Sequence, residues 1–387
     1  MEKNILFLDT TLRDGEQAPG VNYFPEEKLK IARQLIDLNI PIIEAGFPVS
    51  SESDFEGVKK VAEEIGDKND SPIICGLARA NKRDIEIAAK ALEAAKYPRI
   101  QILIPSSDIQ IVHTMGVSHQ EILNLSEEMV FYAKTLVDDI EFTALDACRS
   151  RNEFLYELLE IAIKAGAKTL EIPDTVGYAT PKDYGDRIAG IIKNVHGASD
   201  VVLSTHCHDD LGLATANTLS GLMAGAKQAE CTINGVGERA GNTPFEEVIM
   251  AINTRKDIFP LENEINTKFI GSISKLVEEL STIPIQPNKA IVGKNAFLHA
   301  SGMHQQGMLK DKQTYQVIDP ESVGITNTGL PLGKLSGKHA LRDKIISLNL
   351  KVNDNDFDKL YKNFKDMSSK KKPIVDEDIV NLVKNTI

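Results

Sequence analysis

Short runs of β-branched and aliphatic residues alternate with longer stretches of 3.6-residue apolar periodicity from the N-terminus to about residue 255. Ile5–Asp9 reads as a first strand and Pro25–Leu38 as a first helix, with Ile31, Leu35 and Ile36 recurring on one face. The unit then repeats, with strands predicted at Ile42–Ala45, Pro72–Leu77, Ile100–Ile104, Asp139–Leu145, Thr169–Ile172, Val201–His206 and Gln228–Ile233, each followed by a helical stretch. Several helices open on the residue types that cap N-termini: Ser51, Asn81, Ser118 and Thr180-Pro181. Eight such units match the repeat number that closes a parallel barrel, whereas an open doubly wound sheet would need a crevice where its strand order reverses. The pattern predicts an α/β fold, a (β/α)8 barrel.

After Thr254 the rhythm changes. One helix is predicted over 261–281, and Pro284-Ile285-Gln286-Pro287 breaks it. From 288 to 336 the chain is rich in Gly, His, Asn and Gln, a length of irregular sequence that signals function when it sits inside a folded protein. Helical stretches follow at Lys338–Leu348, Asp354–Lys365 and Asp376–Thr386. The predicted organisation is a catalytic barrel over 1–275, a linker with a first small subdomain over 276–325, and a helical second subdomain over 326–387.

Composition narrows the possible partners. Forty-four basic against 56 acidic side chains leave a net charge of −12, which argues against nucleic acid or an anionic membrane surface as a general partner. No window approaches the roughly 20 apolar residues of a membrane span. The N-terminal residues lack a signal-peptide layout. The cysteines (Cys75, Cys148, Cys207 and Cys231) lie scattered without C-x-x-C spacing, as reduced thiols do. A cytoplasmic protein is expected.

Side chains at the C-terminal ends of barrel strands converge on one mouth. Ionisable and polar residues crowd there, among them Asp9, Arg13, Asp14, Glu16, Glu44, Gln101, Glu141, Thr143, Asp146, Glu171, Thr175, Glu238 and Asn242. In His206-Cys207-His208 the two imidazoles share one side of a strand, because side chains alternate with period two. Two imidazoles and a carboxylate suit a divalent cation with positions left open for substrate. Asp14 can supply the carboxylate, since the first and last strands of a closed barrel are neighbours. An H-x-H alone is more often two satisfied surface or core histidines; the Asp and Arg after strand one and the polar loop after strand eight tip the reading towards metal.

The other histidines divide. His113, His119, His196 and His339 read as solvated, whereas His299 and His304 lie in the Gly/His-rich segment and read as functional. Gly235-Val236-Gly237-Glu238-Arg239-Ala240-Gly241-Asn242 follows a strand and precedes a helix, which suits close approach to an anionic ligand. It is not a dinucleotide fingerprint, and no Walker motif or nucleophile elbow occurs.

These residues carry a family resemblance. Leu8-Asp9-Thr10-Thr11-Leu12-Arg13-Asp14-Gly15-Glu16-Gln17 resembles the first signature of the acyl-CoA/2-oxo-acid Claisen condensing enzymes, the family of 2-isopropylmalate, homocitrate and citramalate synthases. Ser204 to Leu213 together with Asn234 to Asn242 resembles the second signature, and Asn288 to Gly293 with Ser301 to Gln305 is most similar to the bacterial 2-isopropylmalate branch. The resemblance implies acetyl-CoA and a 2-oxo acid as substrates, 3-methyl-2-oxobutanoate foremost, a divalent cation (Mn, Mg or Zn), and a homodimer that exchanges its linker segment. It further implies that Asp14, His206, His208 and Asn242 bind the metal and that Arg13 stabilises the oxyanion. Thr175 would hold the substrate carboxylate, Glu238 would sit near the acetyl group, and His304 and Tyr315 would arrive from the partner chain.

The departures fall around the implied oxo-acid pocket. Gln101 stands where many members carry His, Leu145 replaces a carboxylate, and Glu171 replaces Asn, with Thr143 between them in the pocket set. They leave another 2-oxo acid as an alternative, with an acyl-CoA lyase on the same barrel as a further one. The leucine-binding regulatory domain of the family is not expected within a chain ending at Ile387.

Overall fold

A computed structural model describes residues 4–326 and 329–386. Strands β1 (Leu6–Asp9), β2 (Ile42–Gly46), β3 (Ile73–Arg79), β4 (Pro98–Pro105), β5 (Asp139–Leu145), β6 (Thr169–Asp174), β7 (Val202–Cys207) and β8 (Gln228–Cys231) close into a parallel barrel in sequence order. Closure pairs Leu8 with Glu230 and Asp9 with Cys231, so the two ends of the barrel sequence lie side by side. The helices between them are α1 (Pro25–Asp37), α2 (Glu52–Glu64), α3 (Lys82–Ala91), α4 (His119–Lys134), α5 (Asn152–Ala165), α6 (Pro181–Asn194), α7 (Ala214–Met223) and α8 (Phe245–Thr254). Ser51, Asn81, Ser118 and Thr180 cap α2, α3, α4 and α6 through their side-chain oxygens, as the sequence predicts.

Period-two alternation sorts each strand into two environments. Ile100, Ile102 and Ile104 of β4 and Ile140, Phe142 and Ala144 of β5 are fully buried between barrel and helices. Of the intervening positions, Arg99, Gln101, Glu141 and Thr143 are polar, and Leu103 and Leu145 follow them towards the strand ends. Arg99 Nη1 reaches across the bore to Gln228 Oε1 (3.1 Å) and Glu141 Oε2 (3.0 Å). Gln228 Nε2 donates to Glu141 Oε1 (2.8 Å) and Ser204 Oγ (2.9 Å). Buried polar groups are tolerable only when mutually satisfied, and this layer is cross-linked between four strands.

The predicted helix over 261–281 is shorter in the structure. It comprises α9 (Ile270–Ser281), preceded by a 3-10 turn at Thr267–Phe269. Residues 262–266 instead run along the barrel: Ile5 N donates to the Glu262 carbonyl, Asn39 Nδ2 to that of Glu264, and Asn266 N to that of Leu38, each at 2.9 Å. These tertiary hydrogen bonds use the backbone groups that a helix would need.

The chain divides into two compact units, residues 1–285 and 286–387. The second contains α10 (Gly302–Lys310), α11 (Lys338–Ser347), α12 (Asp354–Lys370) and α13 (Asp376–Thr386). Leu341, Phe357, Leu360, Phe364 and Ile379 from the last three of these share an apolar core. Among the described residues no helix is long and apolar enough to cross a membrane.

Asp9, at the end of β1, is fully buried; its carboxylate accepts hydrogen bonds from Thr11 N and Thr11 Oγ1, both at 3.0 Å. Burial pushes its carboxyl up to about 7, with Glu230 and Glu246 adding to the effect. A raised acid keeps its proton in the folded state after the unfolded chain has released it. Its contribution is therefore complete below the ordinary carboxyl value and is lost as pH rises towards 7. Asp9→Asn, which can keep the Thr11 contacts, should flatten that loss by on the order of 1 kcal/mol per pH unit, read from urea unfolding at several pH values.

Candidate active site

The β1–α1 loop is built around Thr10. Its hydroxyl accepts from Asp14 N (3.2 Å) and donates to Glu44 Oε2 of β2 (2.5 Å). This turn brings Arg13 and Asp14 over the mouth. Arg13 is 9 % exposed and spreads its guanidinium over three carboxylates: Nε on Glu44 Oε1 (2.7 Å), Nη2 on Glu230 Oε1 (3.3 Å) and Nη1 beside Asp14 Oδ2 (3.3 Å). A planar fork satisfies such a set where a lysine could not.

His206 and His208 project from the end of β7 onto the same spot. Their Nε2 atoms lie 3.2 Å apart, and Asp14 Oδ2 is 3.2 Å from the first and 3.8 Å from the second. Two imidazole nitrogens and one carboxylate oxygen thus converge as they do around a shared cation. Burial alone would raise the Asp14 carboxyl, but Arg13, His206 and His208 hold it well below the usual carboxylate range. Burial and the neighbouring His206 push His208 down to about 4, which leaves a lone pair available. Burial would likewise lower His206; Glu230, Asp14 and Glu171 outweigh it and hold that imidazole well above its ordinary value.

Asn242 sits beside His208 through a backbone bridge between the two residues. Its Nδ2 donates to the Val236 carbonyl (3.1 Å), while its buried Oδ1 and Asp14 Oδ1 have no hydrogen-bond partner among the described residues. Acceptors left bare in a buried site, next to two converging imidazoles, fit a divalent cation that all four residues could hold. The glycine-rich loop before Asn242 has a local explanation as well. A Cβ at Gly237 would lie 2.3 Å from Asn242 Nδ2, and one at Gly241 2.1 Å from the Gly235 carbonyl oxygen. These glycines let the loop fold against itself and set the Asn242 amide in place, where the sequence pattern suggested approach to an anionic ligand.

Deeper in the bore, Glu171 of β6 accepts from Gln101 of β4 and Thr143 of β5. Its other oxygen lies 3.6 Å from His206 Nδ1, so this set adjoins the histidines directly. Burial pushes the Glu171 carboxyl up to about 7, with Glu230 contributing. Thr175, past the end of β6, accepts from Asp146 N at 3.0 Å, which leaves its own hydroxyl proton free to donate. Glu238 is half exposed on the rim and paired with Arg239 (3.3 Å). In the second unit His304 stacks on Tyr315, ring centroids 4.0 Å apart, so these two expected site residues form one surface. Gly307 makes room for that stack, since a Cβ there would lie 2.6 Å from the Tyr315 ring.

Glu230 is the functional residue that the sequence reading passes over. Its Oε1 lies 2.8 Å from His206 Nδ1 and 3.3 Å from Arg13, so one carboxylate orients both the imidazole and the guanidinium. The available signal was Gln228 and Glu230 at period two in a strand whose other residues, Ala229 and Cys231, are small.

An HMGL-like family model matches residues 4–277, and a model described as homocitrate synthase post-HMGL domain-like matches 291–372. The barrel and its mouth therefore define an HMGL-like enzyme domain. Crystal structures of HMG-CoA lyases from Bacillus subtilis (TM-score 0.61, 19% identity, 74% of this chain and 97% of that one) and Pseudomonas aeruginosa (0.62, 16%, 74% and 95%) share this fold. Sequence relatives are more specific. The 2-isopropylmalate synthase of Thermosynechococcus vestitus is 50% identical over 392 residues, covering 98% of this chain and 73% of its own length. That of Aquifex aeolicus is 48% identical, covering 99% and 73%, and the chloroplastic 2-isopropylmalate synthase 2 of Arabidopsis thaliana 49%, covering 99% and 62%. The chain belongs to the 2-isopropylmalate synthase family.

Proposed function

We propose that the protein condenses acetyl-CoA with 3-methyl-2-oxobutanoate to give 2-isopropylmalate, the step its relatives are named for and the entry to leucine synthesis. The observation that carries this reading is the convergence of Asp14, His206 and His208 beside Arg13, in a chain so similar to those relatives along nearly its whole length. Asp14, His206 and His208, with Asn242, would hold a divalent cation, Mn, Mg or Zn. When bound, that cation supplies Lewis-acid polarisation of the 2-oxo carbonyl.

The remaining steps belong to the side chains. Arg13 offers fixed positive charge to the oxygen that becomes an alkoxide, already oriented by Glu44 and Glu230. Thr175 donates its free hydroxyl proton to the substrate carboxylate, and Gln101, Thr143 and Glu171 meet the substrate from the bore. His304, backed by Tyr315, removes the proton from the acetyl methyl group. We assign that pair to the partner copy of a homodimer with exchanged linkers, and Glu238 to the vicinity of the acetyl group. Water then hydrolyses the thioester, which makes the condensation irreversible. We read 276–325 as the exchanged linker and first subdomain and 326–387 as the second; the apolar core drawn wholly from residues 332–383 supports a separate second subdomain. Four free, buried cysteines accord with a cytoplasmic setting.

The test is CoA release from acetyl-CoA against a panel of 2-oxo acids with the metal replaced in turn. The highest kcat/KM is expected for 3-methyl-2-oxobutanoate. A stronger response to pyruvate or 2-oxoglutarate would overturn that substrate while leaving the condensation standing.

A further inference from the structure

Lys28 lies on α1, a helix whose sequence reads as an ordinary amphipathic one, yet it is 1 % exposed. Its Nζ donates to three acceptors: the Leu12 carbonyl (3.0 Å), Glu16 Oε2 (2.6 Å) and Asp54 Oδ1 (2.9 Å). An ammonium has three N–H groups, so the count closes. Leu12 and Glu16 bracket Arg13 and Asp14, one on each side. The third acceptor belongs to the first turn of α2, where Asp54 is itself fixed by Ser50 Oγ (2.5 Å) and Ser51 Oγ (2.9 Å). Glu16 is braced in turn, its Oε1 accepting from Tyr23 N at 2.7 Å.

Two glycines from other elements open the channel that Lys28 occupies. A Cβ at Gly57 of α2 would lie 3.0 Å from Lys28 Cδ, and one at Gly46 of β2 3.0 Å from Lys28 Nζ. Gly46 also has φ +152, a value that side-chain-bearing residues rarely adopt. A buried ion cluster of this kind is weak evidence for stability, because an apolar side chain of similar length would avoid the desolvation cost. What an apolar side chain cannot do is hold a backbone carbonyl and a carboxylate on either side of the three-residue segment Arg13-Asp14-Gly15.

We propose that Lys28 is a positioning residue for the metal-binding loop: by tying Leu12 and Glu16 to the N-terminus of α2, it sets Asp14 against His206 and His208 and Arg13 against Glu44. The inference rests on the reading of Asp14, His206 and His208 as metal ligands. Its test is direct Mn2+ binding to the full-length protein, followed by electron paramagnetic resonance, together with steady-state kinetics. Lys28→Met should weaken Mn2+ binding by about 10- to 100-fold, the range found when groups supporting a metal ligand are lost, and should lower kcat with KM for acetyl-CoA unchanged. A folded Lys28→Met protein that binds Mn2+ within twofold of the parent overturns the proposal.

Should Lys28→Met fail to fold, Asp54→Asn decides. It removes the charge that anchors Lys28 but touches neither the loop nor the histidines, and it should weaken Mn2+ binding severalfold; parental binding in this variant overturns the proposal equally. His208→Ala separates the two levels. If it keeps parental Mn2+ affinity, the ligand reading itself is wrong and the Lys28 proposal falls with it; if it loses Mn2+ while the Lys28 and Asp54 variants do not, only the Lys28 proposal fails.

Discussion

Asp14→Asn is expected to lower kcat by about a thousandfold or more, equivalent to roughly 4 kcal/mol of transition-state stabilisation, with the fold intact. The substitution is nearly isosteric, so backbone contacts such as Asp14 N to Thr10 Oγ1 survive. What changes is the charge that His206, His208 and Arg13 all face. The amide cannot replace an anionic ligand, and its NH2 group would point a donor at a cation or at Arg13. Metal content by mass spectrometry and single-turnover rates should fall together, while the circular dichroism spectrum stays that of the parent. An Asp14→Asn protein that turns over at the parental rate would refute the metal-centred reading of the mouth.

Arg13→Lys should be the second most damaging change, lowering kcat by about 10²- to 10³-fold, the usual consequence of losing one preorganised donor to a developing oxyanion. Lysine keeps the charge but has no planar fork. It cannot reach Glu44, Glu230 and Asp14 at once, as the guanidinium does at 2.7, 3.3 and 3.3 Å. Arg13→Met should in addition destabilise the fold by about 3–5 kcal/mol, because it strands buried carboxylates without their counter-charge. The pair of variants separates two functions of one residue: denaturant midpoints report the structural part, and kcat at saturating substrate reports the chemical part. Equal loss of stability in both variants, with kcat retained in Arg13→Lys, would mean that Arg13 only braces the loop.

The barrel was legible because its evidence is repetitive. Eight short β-branched and aliphatic runs, eight 3.6-period helices and four side-chain caps all point to one architecture, and the structure closes it in sequence order. The metal-type cluster was legible for a related reason: period two puts His206 and His208 on one side, and barrel closure brings Asp14 to them. Lys28 shows what was hidden. In Pro25-Glu26-Glu27-Lys28 it looks like any lysine on a helix surface, because the channel that buries it is made by Gly46 and Gly57 of other elements. Glu230 is similar, since a carboxylate in a short strand has no local sign of facing an imidazole. Residues 262–266 fail in the opposite sense: their pattern suits a helix, but the Ile5 and Leu38 backbones and the Asn39 side-chain amide claim their backbone groups.

The pairing of β1 with β8 also orders events during synthesis. Asp14 leaves the ribosome well before its partners, with His206 and His208 following about 190 residues later and Glu230 more than two hundred. Until β7 and β8 have formed, the acidic side chains of the first loop have no imidazoles to face and no interior to enter. Contacts so distant in sequence form late, because the intervening chain must already be ordered. If Asp14, His206 and His208 hold a cation as proposed, its acquisition is tied to the closing of the last seam, and the rate at which refolding chains take up Mn2+ would measure how fast the barrel shuts.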